Sequence, residues 1–188
     1  MHAKLYMKIP ALVFTLTFLT ASCAHAMDVE AAYAAIPHQR TVFDAGKSAL
    51  TTTQAASLKQ LLTWSDKAMV LRVESWQAYK AGNLVELKRL LSGYKAVIDA
   101  GNTMSTLPEL KPVQGLILQA IQGQQAYLEK KLLEKQGSSK ADNAFTPEVQ
   151  QASQKLQQAY GLLMQRYPNE TRQNKQAFYD YLCALDFL

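Results

Sequence analysis

The chain has 188 residues, a formal net charge of +5 and two cysteines, Cys23 and Cys183. Its 20 basic residues are scattered, which excludes the clustered basic face of a nucleic-acid protein. Two cysteines cannot supply a disulfide framework, and the length suits one domain with a real core.

The first twenty-six residues read as an export signal. Lys4 and Lys8 give a positive start, Ile9 to Leu19 is a short apolar run, and Thr20 to Ala26 is small and mostly neutral. A run of about eleven residues falls short of the roughly 20 that cross a bilayer as a helix. Two processing routes follow. Ala24-His25-Ala26 is an A-x-A site that releases a chain starting at Met27. Leu19-Thr20-Ala21-Ser22-Cys23 resembles the lipobox of bacterial lipoproteins, with Thr20 in place of the usual leucine, and would leave Cys23 acylated. The first route is favoured, so residues 1–26 form the signal peptide (1–22 in the lipoprotein route). Residues 27–188 form a single helical domain. The expected compartment is the periplasm, or the membrane surface for a lipoprotein.

Met27 to Ile36 is a short helix that Pro37 stops. His38 to Leu50 has no helical period and reads as an extended loop. The first long helix starts at Thr52 or Thr53 and runs to Ala81, before Gly82-Asn83. Leu58, Leu61, Leu62, Ala68, Met69, Val73, Trp76 and Tyr79 form its apolar stripe. Lys59, Thr63, Asp66, Lys67, Glu74 and Gln77 form the opposite face. The second helix covers Leu84 to Ala100, and Gly101-Asn102 closes it. The short turn between these two makes them an antiparallel hairpin.

A loop from Thr103 to Lys111 leads to the third helix, Pro112 to Gln136. Ser138 to Phe145 is a linker. Thr146-Pro147-Glu148 opens the fourth helix as cap, proline and first-turn acid. Pro168-Asn169 breaks it, and Asn169 caps a last helix from Glu170 to Asp186. The sequon Asn169-Glu170-Thr171 is read as part of that cap. No segment alternates with period two for long enough to form a strand. The expected fold is all-α: an antiparallel bundle of four to five helices after a short N-terminal helix and loop.

Few residues suggest chemistry. Beyond residue 26 the chain has one histidine, His38. There is no C-x-x-C-H, H-E-x-x-H or Glu-x-x-His motif. These gaps point away from enzymes, metal sites and cofactors. A b-type haem or redox carrier would need His38 with Met69, Met104 or Met164. A hydrolase triad would also have to use His38. Cys183 reads as a small, partly buried residue.

One residue breaks the pattern. Arg72 lies within the apolar stripe, between Ala68 and Trp76. A buried guanidinium must find an acid, carbonyl oxygens, water or a ligand. Glu86, Asp99, Asp44 and Asp180 are the conceivable ion-pair partners. The alternatives are that Arg72 snorkels to the rim, or that it builds a cleft for a small anionic ligand with Trp76. Gln124 interrupts the third helix in the same way, and a polar network joining the two would satisfy both.

Leu50-Thr51-Thr52-Thr53-Gln54 resembles the L-T-x-x-Q motif of Spy-type periplasmic chaperones. Phe145 to Gln150 resembles a degraded second copy. The resemblance covers only these stretches. It implies a small exported helical protein that shields unfolded clients on a concave surface, a chaperone or holdase. The same five residues also make a good helix start. The leading expectation is a non-enzymatic exported protein that binds or scaffolds, its partner an unidentified protein or a small anionic ligand.

Overall fold

A computed structural model describes residues 27–37, 39–137 and 146–187. The leader with Cys23, His38, the linker with Phe145, and Leu188 lie outside the described residues. The helices are α1 (Val29–Ala34), α2 (Thr52–Lys80), α3 (Leu84–Thr103), α4 (Lys111–Lys135), α5 (Pro147–Arg166) and α6 (Arg172–Leu185). Short 3-10 turns lie at Ala45–Lys47 and Pro108–Leu110. No strand occurs among the described residues. The protein is an all-α bundle of five helices preceded by a short helix and an arm.

Each long helix packs on the next in sequence, and α6 closes back onto α2. Helix α2 also meets α1 and α4. It is therefore covered on most of its circumference, which explains its broad apolar stripe. Leu58, Leu61, Ala68 and Met69 are fully buried there. Gly82 permits the tight turn into α3 with a φ of 68°, a value that costs glycine little.

Several boundaries differ from expectation, each for a local reason. Helix α2 is capped by Thr51, not Thr52 or Thr53. The Thr51 side chain accepts from Gln54 N–H, and Gln54 answers the Thr51 N–H, a full capping box. The L-T-x-x-Q stretch is thus a helix start, and Thr146 likewise precedes α5 as its N-cap residue. Helix α3 runs past Gly101 to Thr103. Gly101 lies within the helix with Trp64 packed against it; a Cβ there would sit 2.3 Å from the indole. Helix α6 is capped by Thr171 rather than Asn169, with Asn174 N–H as donor. No described helix is long and apolar enough to cross a membrane.

Candidate functional site

Arg72 is 7% exposed. Its Nε donates to the Ala184 carbonyl at 2.9 Å, and its guanidinium lies over the Phe187 ring at 5.5 Å. Gln124 Nε2 donates to the next carbonyl, Leu185. Both oxygens belong to the last turn of α6, whose carbonyls have no partner within the helix. Arg72 from α2 and Gln124 from α4 therefore cap the C-terminus of α6, and the positive charge suits that end of the helix dipole. The anticipated network exists, but it runs through α6 rather than directly between the two side chains.

The four anticipated acid partners of Arg72 are placed elsewhere. Glu86 pairs with Arg89, and Asp44 with Lys47. Asp180 accepts from Thr41 N–H, and Asp99 is exposed on α3. Burial holds the Arg72 pKa below its ordinary value, and Tyr94 and Asp186 pull it back up. The fully buried Tyr94 phenol is pushed up by the same desolvation.

Trp76 belongs to an aromatic cluster one turn further along α2. It stacks on Tyr79 at 5.3 Å, and Phe187 sits edge-on to both Trp76 and Tyr127. Cations cover these rings. Lys80 lies 5.4 Å from the Trp76 centroid and Lys135 5.1 Å from that of Tyr79. Arg72 and Trp76 thus meet at Phe187.

The segment from Gln39 to Leu50, read from the sequence as an extended loop, is an arm whose attachment to the bundle was not foreseen. It lies along α6 and the turn before it, and buried side chains there accept its backbone amides. Asp180 takes Thr41 N–H at 2.8 Å, Asn174 takes Asp44 N–H at 2.8 Å, and Glu170 takes Ala49 N–H at 3.1 Å. Asn174 also donates back to the Asp44 carbonyl at 3.0 Å. Phe43 stacks on Phe178 between these bonds. These bonds satisfy backbone groups that an aperiodic segment cannot pair within itself.

Arg40 closes the arm on the other side. Its Nη2 lies 2.9 Å from Asp66 Oδ2, its Nη1 bonds Glu30, and its guanidinium lies over Tyr33 and Tyr181. Asp66, expected on the polar face of α2, is buried at 5% exposure. Burial raises its pKa to about 6, against the downward pull of Arg40. The folded state therefore holds this proton more tightly than the unfolded chain does. Stability linked to Asp66 should be fully present below pH 4 and should fall by about 2–3 kcal/mol as pH rises to 6. Urea unfolding of the parent and Asp66→Asn across that range measures the term. Parallel pH dependence in the two proteins would contradict it.

A groove of about 550 Å³ lies between α2 and α3. Trp64, Met104 and Ala100 line its apolar part, and Lys59, Thr63 and Lys67 belong to its wall. Trp64 is fixed by its indole N–H, which donates to the Val97 carbonyl at 2.8 Å. Lys59 and Lys67 lie on α2 eight residues apart, or about 12 Å. Sequence reading saw only a polar helix face here, because a groove lined by two helices leaves no local pattern in either. A smaller cleft of about 100 Å³ between α5 and α6 holds the half-buried Cys183 beside Tyr160 and Tyr179.

The methionines named for a haem lie on different elements: Met69 buried on α2, Met104 just after α3, and Met164 half-buried on α5. Among the described residues no three His, Cys, Asp or Glu side chains gather as metal ligands would. No family model, no curated protein and no solved structure matches this chain.

Proposed function

We infer that this is an exported, non-enzymatic helical protein of the bacterial periplasm that acts by binding a partner along the groove between α2 and α3. The observation that carries the reading is the groove itself: an open channel with a rigid indole in its apolar part and two lysines in its wall. Those lysines favour an anionic segment of a partner. The titratable interior groups support the same reading from the other side. Arg72, Asp66 and Asp180 are each engaged in fastening one part of the chain to another.

The exposed apolar residues favour a specific partner over general shielding of unfolded chains. Val42, Val85, Leu133 and Tyr179 are the exposed large hydrophobics among the described residues, too few for a broad apolar face, with Val85 and Leu133 at one end of the bundle. A holdase surface needs a contiguous apolar patch.

The export half of the reading is supported by the leader sequence. Met27 N–H donates to Glu74 Oε1 at 2.6 Å. Cleavage after Ala26 would place a charged ammonium on that carboxylate. Fractionation should find the protein in the envelope, with an intact mass that begins at Met27; an acyl adduct on Cys23 would contradict the preferred route.

Crosslinking in living cells tests the binding half. A photo-crosslinking side chain at Thr63, in the groove, should yield a discrete protein adduct. One at Gln150, exposed on α5, should not. Lys59→Glu with Lys67→Glu should abolish the Thr63 adduct while the circular dichroism spectrum is unchanged. Equal adducts at Thr63 and Gln150, or none at either, would overturn the reading.

A further inference from the structure

The other strong surface feature is the end of the bundle where α2 and α4 finish and α3 begins. Trp76 and Tyr79 are half-buried there, each with a lysine over its ring. Val85 is 82% exposed on the first turn of α3, and Leu133 is 50% exposed on the last turns of α4. Lys80 and Lys135 are exposed and have no ion-pair partner among the described residues; Lys88 is exposed on α3 nearby. The acids of this end are largely engaged: Glu86 with Arg89, Glu134 with Lys131, and Glu74 with Met27 N–H.

Amphipathic rings, isolated apolar side chains and flexible lysines are the chemistry of a bilayer interface. Tryptophan and tyrosine settle at the headgroup level, and lysines reach past them to lipid phosphates. Lysine near an anionic surface contributes about 1 kcal/mol each. The chain also enters the described fold at this end. Met27 is held at Glu74, six residues or about 9 Å along α2 from Lys80.

We propose that the Trp76–Tyr79–Lys80–Lys135 end of the bundle docks peripherally on anionic phospholipid headgroups. The contact is independent of the α2–α3 groove: Trp64 lies twelve residues, or about 18 Å, from Trp76 along α2.

Vesicle binding tests this with protein purified from the envelope of the cells that make it. The protein should sediment with phosphatidylcholine vesicles that contain phosphatidylglycerol, should release with salt, and should bind pure phosphatidylcholine far less. Lys80→Gln with Lys135→Gln should weaken binding about thirtyfold, each lysine contributing about fivefold. Brominated lipid should quench tryptophan emission, and Trp76→Phe, which leaves Trp64 as the reporter, should abolish the quenching. Equal binding to both vesicle types, no effect of the double lysine variant, or quenching that survives Trp76→Phe would overturn the proposal.

Discussion

Arg72→Ala is expected to lower stability by about 2–4 kcal/mol. The substitution removes a charge-assisted bond, leaves the Ala184 carbonyl without its partner, and opens space beside Phe187. Relief of the buried charge offsets part of the loss, because burial already depresses the Arg72 pKa. Arg72→Met separates these effects. It keeps the volume and removes the charge, so it should stay within about 1–2 kcal/mol of the parent. Gln124→Ala orphans the neighbouring Leu185 carbonyl and should cost about 1–3 kcal/mol. The two substitutions cap one helix end, so their effects should not add. Urea unfolding of the three single variants and the Arg72→Ala/Gln124→Ala pair checks all of this. An Arg72→Ala protein as stable as the parent would show that α6 does not depend on the cap.

Gly101→Ala is expected to destabilise by about 2 kcal/mol, against the usual direction for such a change. In an exposed helix interior, alanine gains about 1 kcal/mol over glycine. Here the new methyl would lie 2.3 Å from Trp64 Cζ2 and 2.8 Å from Cε2. The indole is a rigid ring, buried, and tied to Val97 through its N–H. It cannot yield without breaking that bond, and such overpacking costs about 1–3 kcal/mol or more. The indole lines the α2–α3 groove, so the same substitution should also weaken the Thr63 crosslink. Unfolding midpoint and tryptophan emission are the readouts. A variant more stable than the parent, with unchanged emission, would mean that Trp64 does not pack on Gly101.

The helices were legible because their signals are local. Gly82-Asn83 marks the α2–α3 turn, Thr146-Pro147-Glu148 marks the start of α5, and the stripe of Leu58, Leu61 and Leu62 marks a core face. What escaped reading depends on partners far along the chain. Asp66 looks like a surface residue until the arm brings Arg40 onto it. Gly101 reads as a stop signal, yet it is a contact surface for Trp64 from another helix. The arm itself has no period. Its amides are satisfied by Glu170, Asn174 and Asp180, between 121 and 139 residues away. Arg72 was visible as an anomaly, but a backbone carbonyl at a helix end leaves no residue-type signature to match it with.

The central claim is that the polar interior fastens α6 and the arm to the bundle. Amide hydrogen exchange on the folded protein tests it most directly. Thr41, Asp44 and Ala49 N–H, three amides in an aperiodic segment, should be protected nearly as well as the core of α6, because buried side chains hold them. Exchange of these three amides at the rate of a free loop, with α6 still protected, would contradict the claim.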